Sequence, residues 1–179
     1  LFLVVSPCAS PSFVLPSSDG TSGQAIITDA SGNLSFGEAG GGKVGQVVQA
    51  VKTDVFSTSS TSFVDVTGLT VNITPSATSS KVLVLLDYKG SLGRAGAVTA
   101  TLQLLRGSTV VYQVGKVGTS TGDFETYCGT VFLDSPNSTS QQTYKIQIKG
   151  DGGAVSCNQI HNDSTDRADS SITVLEITS

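Results

Sequence analysis

The feature that most constrains this chain is a strict alternation of apolar and polar residues along several short segments. Leu69, Val71 and Ile73 alternate with threonine and asparagine, and the same pattern recurs over residues 98–104 and 144–148. Successive side chains of a strand point to opposite faces of a sheet, so this period of two predicts strands with one buried and one solvated face. Such strands bury their apolar side by packing against another sheet, which favours an all-β fold.

Further strands are predicted where β-branched and aromatic residues stand between turn residues. These segments cover residues 46–56, 62–66, 109–114, 124–133, 154–159 and 171–177. Val82–Leu86 is apolar throughout, which is typical of a central strand covered on both faces. Together the segments predict roughly nine or ten strands joined by short turns, as in an antiparallel β-sandwich or jelly roll.

Composition supports the same fold class, because hydroxyl residues take the place of charged ones. Serine and threonine occupy 26 and 21 of the 179 positions, while charged residues make up 13%. Threonine favours strands and serine favours turns, and the Leu, Ala, Glu and Lys runs that build helices are missing. The net charge is −4 and the basic residues are scattered. Nucleic acid is therefore not a predicted partner, since its binding needs clustered positive charge.

Residues 1–43 differ from the rest and are predicted to be an extended connector in front of a β-sandwich domain over 44–179. Within the connector, Ala25–Thr28 and Leu34–Phe36 are short β-like runs around a glycine-containing turn, which predicts a hairpin. A glycine-rich linker follows over residues 37–42. The connector has too little apolar surface to fold alone, so we expect copies of itself to order it.

The ends and the hydropathy of the chain bear on its location. No apolar run approaches the length of about 18 residues that a membrane span needs, so membrane insertion is not predicted. The opening run Leu1–Val5 is shorter than the apolar core of a signal peptide, which has roughly 7–15 residues. The sequence contains no methionine. It is therefore expected to start inside a longer polypeptide or after processing.

The sequence shows no pattern that predicts a catalytic or metal centre. It contains one histidine, His161, and lacks the G-x-S-x-G pattern of a serine hydrolase. Two clusters of acidic residues leave a glycosidase pair or a Ca²⁺ site open as minor alternatives. One cluster is Asp123 with Glu125, and the other is Asp163 with Asp166 and Asp169. We therefore predict no catalytic residue, no metal ligand and no cofactor, and we expect the protein not to be an enzyme.

The cysteines and tyrosines are predicted to have structural roles. Cys8, Cys128 and Cys157 match neither a zinc motif nor a disulfide framework. Cys128 and Cys157 fall on apolar strand faces and are expected to be buried thiols, with a bridge between them left open. Tyr112 and Tyr127 are candidates for stacking against a sugar, although a core or interchain position is the stronger expectation for each.

A longer phrase in the connector resembles a segment that recurs in bacteriophage fibre and tail proteins, between a fibrous shaft and a globular tip. The matching residues are Leu15-Pro16, Asp19-Gly20-Thr21-Ser22-Gly23-Gln24 and Thr28-Asp29-Ala30-Ser31-Gly32-Asn33-Leu34-Ser35-Phe36. Ala30 stands where that phrase usually has glycine. Later segments are similar, in the same order, to C-terminal domains of phage structural proteins: 49–69, 73–84, 104–108 and 172–177.

This resemblance implies a homotrimer with a tip domain of the C1q/TNF-like jelly-roll kind. It implies a virion location, with assembly in the host cytoplasm and exposure outside the cell. The connector would contact other virion proteins, and the tip would attach the particle to a host glycan or protein. Two alternatives stay open: a purely structural head-decoration or collar fibre, and a secreted bacterial C1q-like adhesin.

The candidate receptor-binding residues lie in long polar segments predicted to be loops. These segments cover residues 91–96, 116–123, 134–142 and 158–170. Loops carry binding residues more often than the strands that support them. The predicted receptor-binding residues are Arg94, Ser120, Thr121, His161, Asn162 and Asp163.

Overall fold

The computed structural model describes residues 15–28, 33–38, 43–92, 98–120, 124–160 and 163–178. The chain divides into two compact units, Leu1–Gly42 and Lys43–Ser179. Regular structure in the described residues consists of strands alone. The all-β prediction is therefore confirmed.

Fourteen strands make up this structure. In chain order they are β1 (Gln24–Thr28), β2 (Leu34–Glu38), β3 (Val44–Lys52), β4 (Phe56–Thr58), β5 (Val64–Ile73), β6 (Lys81–Leu92), β7 (Val98–Arg106), β8 (Thr109–Ser120), β9 (Phe124–Asp134), β10 (Gln142–Gly150), β11 (Val155–Cys157), β12 (Gln159–Ile160), β13 (Asp163–Arg167) and β14 (Ser170–Ile177).

The first unit contains the predicted hairpin, with β1 antiparallel to β2. The Phe36 ring lies over Gly20, where a Cβ atom would come within 2.6 Å of the ring, so a larger residue would displace it. Ile26 and Ile27 stay 51% and 44% exposed, and Leu15 is 68% exposed. A lone two-stranded hairpin is marginal in water. In this hairpin the side chains of Ile26 and Ile27 remain exposed to water.

The second unit is an antiparallel β-sandwich of two sheets. The β10 sheet has the strand order β5-β10-β7-β8. The β6 sheet has six strands, in the order β3-β14-β6-β11-β4, with β9 on the other side of β6. Eight long strands thus form two layers, β3-β14-β6-β9 and β5-β10-β7-β8, and the chain crosses between the layers as in a jelly roll.

Alternate residues of the long strands fill the space between the two sheets, as the period of two predicts. The core includes Val82, Val84 and Leu86 from β6 and Ile172 and Val174 from β14. From the β10 sheet it takes Val71 and Ile73, Leu102 and Leu104, and Tyr144, Ile146 and Ile148. Burial of each such side chain contributes roughly 1.5–3 kcal/mol, and this apolar contact is the main force holding the sheets together.

A β-bulge joins two segments that the sequence predicts as separate strands. Residues 62–66 and 69–73 belong largely to one strand, β5, in which Val66 and Leu69 are both buried although they are three residues apart. Gly68 lies between them with φ of +89°, a conformation that glycine adopts without steric cost. Between Lys145 and Gln147 of β10, the partner residue on β5 moves from Thr70 to Asp65, so β5 accommodates three additional residues there and both of its ends keep their apolar side inward.

Three other boundaries differ from the predictions. The predicted strand 46–56 is divided into β3 and β4. The predicted loop 116–123 is wrong up to Ser120, because β8 continues along β7 to that residue. The predicted loop 158–170 contains a short two-stranded sheet of β12 and β13.

A polar cluster connects the two sheets at the end of β9. The Asp134 carboxylate accepts hydrogen bonds from Arg106 Nη1 on β7 at 2.6 Å and from the Tyr144 hydroxyl on β10 at 2.7 Å. Asp134 is 8% exposed and Tyr144 is fully buried. One carboxylate of the β6 sheet therefore satisfies two donors of the β10 sheet in a region that water scarcely reaches.

Candidate attachment surface

Strand register brings two of the candidate loops to one end of the sandwich. Leu92 lies opposite Phe124, and Val98 lies opposite Ser120. The strand ends that border residues 93–97 and 121–123 therefore lie together. We call this end of the sandwich the loop end.

The domain begins and finishes at the other end, which we call the leader end. Lys81, at the opposite end of β6 from Leu92, pairs with Ile177, and Ile177 pairs with Val44. The Thr178 amide also donates to the Lys43 carbonyl at 2.9 Å. At about 3.3 Å per residue, the length of β6 separates the two ends by roughly 36 Å.

Most of the candidate receptor-binding residues lie outside the part of the chain that the structure describes. Arg94, Thr121, His161 and Asn162 fall in the undescribed segments. For Ser120 and Asp163 the backbone alone is described: Ser120 ends β8 at the loop end, and Asp163 begins β13 opposite Ile160. Register thus groups Ser120 with the strand ends on either side of Arg94 and Thr121.

Asn158 anchors the start of the β12–β13 hairpin, a role that the sequence analysis did not predict. Its side chain is fully buried, and its φ of +64° is unusual for a residue other than glycine. Its amide donates to the Lys89 carbonyl at 2.8 Å, and its Nδ2 donates to the Lys52 carbonyl at 2.6 Å. Its Oδ1 accepts from the Ser170 hydroxyl at 2.6 Å. The hairpin that leads to His161 therefore leaves the sandwich from a fixed point.

The outer face of the β6 sheet carries apolar side chains where a monomeric sandwich would be polar. Register aligns one row across four strands, Val47–Leu175–Leu83–Leu133, and a second row ends in Leu85 and Val131. We call these residues the apolar band: Val47, Leu83, Leu85, Val131, Leu133 and Leu175. Val131 is 65% exposed, Val47 57%, Leu133 47% and Leu85 36%.

The apolar band corrects the prediction for Val82–Leu86. The sequence predicts a strand covered on both faces, and β6 is indeed a central strand. Among the described residues of the sandwich, however, only the face with Val82, Val84 and Leu86 is covered. Leu83 and Leu85 lie on the outer face.

The outer face of the β10 sheet is polar and internally hydrogen-bonded. Asp65 accepts from Lys145 Nζ at 2.8 Å and from Gln147 Nε2 at 2.7 Å, and Gln103 donates to Gln147 at 2.8 Å. The Lys145 bond, supported by Gln147, lowers the pKa of Asp65 below its usual value. The two outer faces of the sandwich therefore differ sharply in chemistry.

The two cysteines that the structure describes, Cys128 and Cys157, have weakly reactive thiols. Cys128 on β9 and Cys157 on β11 are both free thiols, and β6 runs between their strands. Burial raises the pKa of Cys157 to about 11 and also raises the pKa of Cys128. A thiol with a raised pKa is a weak nucleophile at neutral pH.

Among the described residues, no group of three or more His, Cys, Asp or Glu side chains is placed to hold a metal ion. The same part of the chain contains no helix that could span a membrane.

The chain matches no family model, and no curated protein matches it. Among solved structures, infectious bursal disease virus of the Gt strain aligns at 16% identity with a TM-score of 0.40, over 87% of this chain and 42% of the viral one. T=1 particles derived from infectious bursal virus align at 14% identity and a TM-score of 0.41, over 87% and 40% of the two chains. The Bacillus endospore appendages, a family of disulfide-linked pili, align at 12% identity and a TM-score of 0.35, over 77% and 93%.

This chain spans about two fifths of the length of the viral chains that it matches. Because every one of these TM-scores lies below 0.5, the likenesses carry no argument about function.

Proposed function

We propose that this chain is a structural component of a virus particle, the C-terminal tip of a bacteriophage fibre, which forms a homotrimer and attaches the particle to the host cell surface. The protein has no catalytic role in this proposal. It lies on the virion, assembled in the host cytoplasm and exposed outside the cell. It inserts into no membrane and binds no nucleic acid.

The observation that carries the proposal is the apolar band. Soluble monomers rarely leave a large contiguous apolar patch in water, and such patches mark surfaces that a partner covers. The band crosses β3, β14, β6 and β9, so a covering partner would remove side chains of four strands from water at once. Copies of the same chain are always present at matching concentration, and closed symmetric assembly is the usual way to bury such a face.

The connector supports the same proposal from a separate unit of the chain. Leu15, Ile26 and Ile27 stay largely exposed on a hairpin too small to be stable alone. The phage-fibre phrase over residues 15–36 is the reason for setting the number of copies at three. Residues 1–43 would then be the connector to other virion proteins.

The polarity of the sandwich suits a tip. The chain enters at the leader end, and the strand ends beside Arg94, Ser120 and Thr121 lie at the opposite end. In the sequence, His161 and Asn162 stand between β12, whose start Asn158 anchors, and β13. Three copies on one axis would present three sets of these weak contacts, and binding of the first makes the others intramolecular.

Light scattering on the full chain at micromolar concentration tests the assembly. We expect a mass three times that of the monomer. Val131→Glu, which places a charge in the apolar band, should dissociate the trimer, because a desolvated and unpaired charge is costly. Val110→Glu is the matched control, since Val110 is 43% exposed on β8 of the other sheet, and this variant should stay trimeric. A monomeric wild-type chain would contradict the proposal.

Adsorption to host cells tests the attachment role. Arg94→Ala and His161→Ala should slow adsorption of the particle while the trimer mass stays unchanged. If both variants adsorb at the wild-type rate, the loops do not bind the receptor, and a structural collar or head-decoration role takes the place of attachment.

A further inference from the structure

The outer face of the β6 sheet has a different chemistry closer to the loop end than it has in the apolar band. Across β6 and β9, Asp87 pairs with Gly129 and Lys89 pairs with Tyr127, closer to the loop end than the band residues. Tyr127 is 60% exposed, the largest aromatic exposure in the described part of the chain. The Tyr127 hydroxyl donates a hydrogen bond to Glu125 Oε2 at 2.7 Å, and this bond restrains the orientation of the ring.

Lys89 is also held in place. Its ammonium donates to Asp87 Oδ2 at 2.7 Å and to the Asp169 carbonyl at 2.9 Å. An ammonium group has three hydrogens, so one remains for another acceptor. The Tyr127 ring therefore lies beside a fixed cation on one strand and a fixed carboxylate on its own strand.

Gly129 leaves open space on the outer face of the β6 sheet. It lies two residues from Tyr127 on the same face of β9, and it is itself exposed. A Cβ atom there would meet nothing closer than the Leu86 carbonyl at 3.7 Å, an ordinary contact, and its φ is not among the positive ones. Glycine weakens a strand, and in a strand interior it often marks a place where a ligand approaches closely. Nothing in the described part of the chain requires glycine at position 129.

We infer that Tyr127, Gly129, Glu125 and Lys89 form a binding site for a neutral hexose of a glycan. An exposed tyrosine ring offers a flat apolar face for the C–H side of a sugar ring, while its tip stays polar. The Glu125 carboxylate accepts and the Lys89 ammonium donates hydrogen bonds to hydroxyl groups at the edge of that ring, and both bonds are charge-assisted. The missing side chain at position 129 gives the sugar room to lie against the tyrosine.

A second copy of the chain is the less fitting occupant. The cores of protein interfaces are depleted in charged residues, and charge begins at the Asp87–Gly129 row. The apolar band suits a copy, and the Tyr127 site would lie at the rim of that contact, free to meet a ligand. The inference rests on the proposed attachment role and gives it a ligand class.

Saturation-transfer NMR on the full chain tests the site, with the methyl glycosides of glucose, galactose, mannose and N-acetylglucosamine as probes. We expect at least one probe to bind with a dissociation constant on the order of 1 mM, typical of a single shallow contact. Tyr127→Ala should weaken that binding by about tenfold or more. Tyr112→Ala is the matched control, because Tyr112 is 36% exposed on β8 and packs against Phe132, away from the site; its binding should be unchanged.

Gly129→Val is a second variant that tests the site even if Tyr127→Ala folds poorly. Valine favours strands, and the space at position 129 accepts its Cβ, so the melting temperature should hold or rise while sugar binding is lost. Three results would overturn the inference: no probe binds the wild-type chain, the variants bind as well as the wild type, or Gly129→Val splits the trimer. The last would assign this surface to a second copy. A trimer that binds no probe would refute the sugar site and leave the proposed fibre role standing.

Discussion

Removal of the Asp134 carboxylate should destabilise the sandwich far more than removal of a comparable carboxylate on its surface. In the Asp134→Ala variant the Tyr144 hydroxyl stays fully buried and loses its acceptor. An orphaned buried donor costs roughly 1–3 kcal/mol. The Arg106 side chain is 24% exposed and reaches water, so the loss of its ion pair adds at most about 1 kcal/mol. The expected loss of stability is about 1–4 kcal/mol.

Urea unfolding followed by circular dichroism measures this loss, and the melting temperature should fall by roughly 3–15 °C. Asp65→Ala is the matched control. Asp65 also accepts two side-chain hydrogen bonds, but its side chain is 48% exposed, so its loss should cost less than about 1 kcal/mol. Adding Tyr144→Phe to Asp134→Ala removes the orphaned hydroxyl and should recover about 1 kcal/mol. Equal losses for Asp134→Ala and Asp65→Ala would refute the reasoning that burial sets the cost.

Two further predictions concern titrating groups. Burial of Glu176 raises its pKa, but hydrogen bonds from the Ser76 hydroxyl and amide, both at 2.6 Å, outweigh that effect and hold the pKa below its usual 4.5. A lowered folded-state pKa adds stability above the unfolded value that is lost as pH falls, so the urea midpoint should drop below about pH 4.5 and Glu176→Gln should flatten that drop. The Cys157 thiol, with its pKa raised to about 11, should resist iodoacetamide at pH 8 until urea unfolds the chain, as peptide mass spectrometry would show. Rapid labelling of the native protein would contradict the burial of Cys157.

The sequence predicted those parts of the fold that depend on local pattern. Alternation along β7, β10 and residues 69–73 of β5 identified which side chains face the core, because a strand repeats every two residues whatever it packs against. The bulge at Gly68 escaped prediction, because the additional residues of β5 break the alternation and resemble a turn between two strands. The extension of β8 to Ser120 also escaped, since its glycines are typical of a loop and only pairing with β7 makes them a strand.

The candidate surface depended on contacts that no local pattern records. Asn158 reads as a turn residue in the sequence, yet its side chain reaches the Lys52 carbonyl from more than one hundred positions away. Tyr127 was predicted to fill a core or an interchain surface. Its ring lies on the outer face of the sheet opposite Lys89 and is 60% exposed within one chain, so the core position is wrong and the interchain position stays a prediction.

The pairing of β3 with β14 has a mechanical consequence. In the proposed fibre, tension between the connector before Lys43 and a host bound at the loop end would run along the strands, because β3 starts at the leader end and the strand ends at Leu92 and Phe124 lie at the other. The hydrogen bonds between β3 and β14 lie across that direction. Drag on the particle would therefore load this ladder in shear, with all its bonds sharing the force, rather than peel the bonds open one after another.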